Sequence, residues 1–136
     1  MKNLYQPSKL LNKKEFEKIL RSLEKSWTQE TATFADTNNK WSKDNPPRGQ
    51  CLVTSIIIND LFGGKIVYDR ETHHFWNELP DGTWQDFTRS QFKNETSLTI
   101  TKYKIKDEVL SDDHAIKNKT VDRYKLLKQK FEETYG

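Results

Sequence analysis

Apolar residues first recur along the chain at helical spacing: Phe16, Ile19, Leu20, Leu23 and Trp27 fall three or four positions apart. Asn12 stands ahead of them with Glu15 three positions later, an arrangement that resembles a capping box. A first helix is expected there. From Thr28 to Pro47 the chain turns polar, passing Asn38-Asn39 and Pro46-Pro47, and only Phe34 and Trp41 offer anything to bury. That stretch reads as a long loop. After Gly49, apolar positions at Leu52, Val53, Ile56, Ile57, Ile58 and Leu61 cover most of the girth of a helix closed by Gly63-Gly64. The β-branched run Ile56-Ile57-Ile58 would also suit a strand, but the distance between stop signals is about twice the ~5–6 residues of an average strand. A helix apolar on nearly all sides belongs at the centre of a fold.

The period then changes. Lys65 to Arg70, Thr72 to Leu79, Thr83 to Thr88 and Leu98 to Ile105 read as strands, the second and third joined by Pro80-Asp81-Gly82. A two-residue loop at Asp81-Gly82 would pair 79 with 84 and turn Asp86 away from His74. A three-residue loop pairs 79 with 83 and 76 with 86, making Asp86 a diagonal neighbour of His74 on one face. Gly82 suits the left-handed third position of that loop, so the three-residue register is expected. Val121, Tyr124, Leu127, Phe131 and Tyr135 form the stripe of a last helix, with Thr120 as its expected cap. Helices at both ends of an antiparallel sheet of about four strands make an α+β fold in a single domain, residues 1–136.

Composition narrows the function. The hydrophobic fraction is 33%, low for a globular chain, but aromatics reach 12% and each buries a large area, so a small core is affordable. The net charge of +3 arises from interspersed signs and gives no one-sided basic surface, which argues against nucleic acid as a partner. No window approaches the ~18 apolar residues of a membrane span, and no secretory leader is apparent, so a cytoplasmic, non-membrane protein is expected, monomeric or weakly dimeric. The single cysteine, Cys51, rules out an internal disulfide and suits a reducing compartment.

Cys51 opens the most apolar helix, where unpaired N–H groups and the positive dipole end favour a thiolate. A free cysteine is also among the most commonly buried residues, and packing alone would explain it. His74 and Asp86 on neighbouring strands change that balance, because a carboxylate holding one imidazole nitrogen leaves the other for the thiol. His73 competes for the base, but successive strand residues point apart and the pairing selects His74. Zinc is not expected from Cys51, His73, His74 and His114, since no ligand pair has metal-binding spacing. His114 reads as a solvated loop residue. No metal or cofactor is expected.

Cys51 at a helix start, then His74-Phe75-Trp76, then Gln85-Asp86-Phe87-Thr88 resemble the transglutaminase-like branch of papain-type cysteine enzymes. More specifically, Asn45-Pro46, Gly49-Gln50-Cys51, Asp60 with Gly63-Gly64, His74-Phe75-Trp76-Asn77, Leu79-Pro80-Asp81-Gly82, Asp86-Phe87-Thr88 with Gln91-Phe92, and Arg123-Tyr124 with Leu126-Leu127 resemble the YunG family. That family has no assigned biochemical role. The first resemblance implies a papain/transglutaminase-like fold with Cys51 as nucleophile, His74 as base and then acid, and Asp86 as orienter. Gln50 is then the candidate oxyanion donor beside the Cys51 N–H, although the papain-type glutamine lies several residues further upstream. Trp41, Trp76 and Asn77 are the candidate substrate contacts. The expectation is a cysteine-dependent acyl-transfer enzyme acting on an amide or thioester, with a peptide or small amide as the candidate substrate. The alternative is a non-catalytic binding protein on the same scaffold.

Overall fold

The computed structural model describes residues 4–33, 41–92, 98–100 and 102–136. Phe34, Asn38-Asn39 and Thr101 lie outside the described residues. The helix α1 (Lys13–Ser26) begins where the capping signal stood: Asn12 Oδ1 accepts the Glu15 N–H at 2.7 Å. The reciprocal arm goes elsewhere, because the Glu15 carboxylate accepts from the Tyr135 hydroxyl and so ties the first helix to the last. α2 (Cys51–Phe62) is the expected central helix, buried continuously from Leu52 to Ile58, and ends at Gly63 with φ 77°.

Among the described residues five strands form one antiparallel sheet, one more than expected. They are β1 (Leu4–Tyr5), β2 (Lys65–Asp69), β3 (His74–Glu78), β4 (Trp84–Asp86) and β5 (Lys102–Lys104), in the order β1-β4-β3-β2-β5. The hairpin takes the three-residue loop: Asn77 pairs with Gln85 and Glu78 with Trp84, and the Leu79 N–H donates to the Thr83 carbonyl at 2.9 Å. Gly82 occupies the left-handed position with φ 85°. The preceding connection is tighter than expected. Asp69 accepts from the Glu71 N–H and the Thr72 hydroxyl, closing a turn over 70–73 and placing His73 in that turn instead of in a strand.

The chain between β5 and the last helix forms two short helices, α3 (Lys106–Ser111) and α4 (Asp113–Lys117), neither of which is long enough to announce itself by period. α5 (Thr120–Tyr135) follows. Thr120 is its first helical residue and not its cap, a place taken by Lys119 in the left-handed conformation. The loop from 28 holds a short 3₁₀ turn over Gln29–Thr31.

Strand alternation sorts the sheet residues into two faces. Ile66, Phe75 and Phe87 meet α1, α2 and α5 in the main core, where Phe16 stacks on Phe87 at 4.3 Å. Val67, His74, Trp76 and Asp86 turn the other way and are also buried, so the sheet is covered on both sides. The close fit is visible at Gly64, where an added Cβ would stand 2.2 Å from the Glu78 carbonyl oxygen. Among the described residues, no helix is long and apolar enough to cross a membrane.

Candidate active site

The approach to Cys51 is fixed by a stack of turns. The Trp41 indole donates to the Pro46 carbonyl at 2.8 Å, and the Gln50 N–H donates to the Pro47 carbonyl at 3.1 Å. Gly49 has φ 74° and accepts the Thr33 N–H through its carbonyl at 2.9 Å; a side chain there would press on Thr33 and Ala32. Cys51 therefore enters as the first residue of α2, half-buried, beside amide groups that the helix itself cannot pair.

His74 opens β3 and is fully buried. Its Nε2 lies 2.7 Å from Asp86 Oδ2, and the other carboxylate oxygen accepts from the Thr88 N–H at 3.2 Å and the Thr88 hydroxyl at 3.3 Å. The Asp-x-Thr sequence thus orients the carboxylate, which in turn orients the imidazole. Trp76 stacks on the ring at 5.8 Å and Phe92 meets it edge-on at 4.9 Å. Burial alone would lower the His74 pKa from its ordinary 6.5, but the Asp86 charge and hydrogen bond, reinforced by Cys51, raise it to about 10.

The second nitrogen of His74, Nδ1, is 2.8 Å from the Gln91 side-chain amide. The neutral imidazole accepts from that amide; a protonated Nδ1 requires the amide to present its oxygen or to yield to the thiol. The Cys51 thiol contacts the His73 carbonyl at 4.0 Å. His73, with φ 54°, is brought to this position by the 70–73 turn, and its Nδ1 meets the Tyr68 hydroxyl at 3.1 Å.

Beside Cys51 lies a cavity of about 680 Å³, lined among others by Tyr68, His73, Phe75, Gln91 and Arg123. Gln91 and Arg123 had no role assigned from sequence. The only sequence signal for either was a place in a family-like pair, Gln91-Phe92 shortly after Asp86 and Arg123-Tyr124 on the last helix. His114, expected as a solvated loop residue, is on α4 and reaches the cavity rim.

Four other expectations are corrected. Gln50 is fully buried and its amide donates to the Thr28 carbonyl at 2.9 Å, so it braces the loop and is not presented to an oxyanion. Trp76 is buried behind His74 instead of walling a groove. Asn77 is buried and donates to the Ser55 carbonyl at 2.9 Å, pinning α2 to the sheet. Trp41 braces Pro46 and does not line the cavity. Among the described residues no cluster of metal-ligating side chains is found.

The His74 shift has a measurable consequence. A group whose pKa is higher in the folded state stabilises that state fully below its unfolded value, and this contribution is lost as pH rises through the folded value. The melting temperature should therefore fall as pH rises from about 6.5 toward about 10. His74→Gln should lack this component in the same series, and an identical pH slope in both proteins would contradict the assignment.

Comparison with known proteins gives two findings. Residues 15–136 match the family described as YunG protein. A 73-residue stretch, 52% of this chain, is 38% identical to the "Uncharacterized protein YunG" of Bacillus subtilis (strain 168) and spans 57% of that protein. No solved structure matches.

Proposed function

The chain belongs to the YunG family, and on that footing we propose that it is a cysteine-dependent acyl-transfer enzyme acting on an amide or thioester, with Cys51 as nucleophile, His74 as proton carrier and Asp86 as orienter. The observation that carries this reading is the 2.7 Å His74–Asp86 contact, next to a cavity lined by Cys51, whose thiol lies 4.0 Å from the carbonyl of His73, the residue before His74. A helix-borne cysteine followed by His and Asp on successive antiparallel strands also supports a papain/transglutaminase-like version of the α+β fold. A reducing cytoplasm would keep the thiol available.

In this reading the Cys51 proton has already passed to His74, whose raised pKa keeps the imidazole protonated at neutral pH, and the sulfur attacks the carbonyl carbon as a thiolate. The tetrahedral oxyanion faces the Cys51 N–H at the head of α2, and the Gln91 amide is the second donor once it leaves the imidazole. Collapse breaks the bond to the leaving amine or thiol, which takes the proton back from His74. Water or an acceptor amine then attacks the thioester carbon, gives a proton to His74, and releases the Cys51 sulfur with the new acyl product. Asp86 keeps the imidazole in the tautomer that this cycle requires.

One observation favours a second reading, a non-catalytic binding protein: Gln91 holds the nitrogen that the thiol needs. Intact-mass measurement after exposure to small thioester and activated-amide probes separates the two. Wild type should gain one acyl group at Cys51, Cys51→Ser none, and folded Asp86→Asn should label at least about 10²-fold more slowly. Equal rates in wild type and Asp86→Asn would reject the enzyme in favour of a bystander thiol.

A further inference from the structure

Arg123, on α5, is 3% exposed and lines the same cavity as Cys51. Its Nε donates to the Asn118 carbonyl at 2.8 Å, Nη1 to the Thr31 carbonyl at 3.2 Å and Nη2 to the Thr120 hydroxyl at 3.4 Å. All three acceptors are neutral. Among the described residues no carboxylate lies within ion-pair distance of it. A guanidinium has five N–H donors in a planar fork, so these bonds position the group and leave donors over. Removing a cation from water without a counter-charge is costly, and buried charges are normally paired.

The surroundings sharpen the point. His73 and His114 line the cavity with Arg123, as does Lys104, which pairs with Glu108 at 3.8 Å, and among the described residues Asp112 is the sole carboxylate in the lining. Asp112 is already occupied, since its Oδ1 caps α4 by accepting the Ala115 N–H at 2.8 Å. Burial pulls the Arg123 pKa down to about 10. A volume of about 680 Å³ is in the range of small-molecule sites.

We infer that this cavity binds an acyl substrate carrying a carboxylate, which pairs with the Arg123 guanidinium while its reacting carbonyl lies at Cys51. The inference rests on the acyl-transfer reading for the reaction but concerns recognition, and recognition can be read without any acyl transfer. The planar fork of Arg123 matches a carboxylate through two parallel N–H donors, which a lysine in its place would not do. Neutral acyl chains would leave the cation buried and unpaired, and that penalty provides the selectivity.

The test is alkylation of Cys51 by iodoacetate, N-iodoacetyl-glycine and N-iodoacetyl-β-alanine, each against its neutral amide, with a free thiol as reference. Whichever carboxylate probe has the right length should react about tenfold or more faster than its neutral partner, beyond the ratio seen for the free thiol. That preference should disappear in folded Arg123→Gln and be reduced in Arg123→Lys. Succinate should also slow wild-type alkylation by iodoacetamide, which keeps the test decisive if Arg123→Gln does not fold. Absence of any carboxylate preference together with absence of protection overturns the inference, even if Cys51 is acylated by thioesters. Conversely, a clear preference without acylation upholds carboxylate binding and removes only the enzymatic reading.

Discussion

Replacing Asp86 with alanine is expected to lower the unfolding free energy by about 3–5 kcal/mol at neutral pH, the usual loss when one partner of a buried pair is removed. Asp86 is 1% exposed and His74 not at all, so water cannot replace the missing carboxylate. Three hydrogen bonds go at once, from His74 Nε2, the Thr88 N–H and the Thr88 hydroxyl. Asp86→Asn should lose clearly less, because its amide oxygen can still accept one of these donors in the same space. Urea unfolding of both variants checks the order. A loss below about 1 kcal/mol for the alanine variant would mean that the pair is not holding β3 to β4.

The second large effect is expected at Gly64. An alanine there would place its Cβ 2.2 Å from the Glu78 carbonyl oxygen and 3.0 Å from the Leu79 Cα, both main-chain atoms that cannot swing aside. Its φ of 85° adds the left-handed penalty of about 1–2 kcal/mol for a residue with a side chain. Together these should destabilise Gly64→Ala by more than about 3 kcal/mol, through displacement of the β3 end from α2. Gly82 is a matched control, with the same φ of 85° and nothing within 4 Å of an added Cβ. Gly82→Ala should therefore show only the conformational part, about 1–2 kcal/mol. Equal thermal shifts for the two variants would remove steric contact from the explanation.

The parts of the fold that sequence foretells are those fixed by local chemistry. Asn12 caps α1 through its own side chain, Gly63 ends α2 by its own φ, and Gly82 sets the hairpin register by occupying the one position where a left-handed residue fits. That register brings His74 and Asp86 onto one face, so their contact was legible from a turn of three residues. The missed features depend on distant partners. Gln50 beside a cysteine resembles an oxyanion donor until the Thr28 carbonyl claims its amide from 22 residues away. Asn77 looks available on a strand until the Ser55 carbonyl does the same. Arg123 is marked in the sequence only as half of the Arg123-Tyr124 pair, and only packing against Thr31, 92 residues earlier, shows that it is buried. β1 has two residues, too few for any period to register, and it exists because β4 offers it an unpaired margin.

The two outer strands carry one more implication, for behaviour in crowded solution. An open sheet margin is a template on which another chain can add a strand and begin a fibril. Among the described residues one margin offers Leu4–Tyr5 and the other Lys102–Lys104, whose central tyrosine is flanked by two lysines. Such short borders, one of them cationic, give a second molecule little length to grip and impose like-charge repulsion when two copies align edge to edge. The sheet can therefore bury both of its faces and still resist polymerising through its rims.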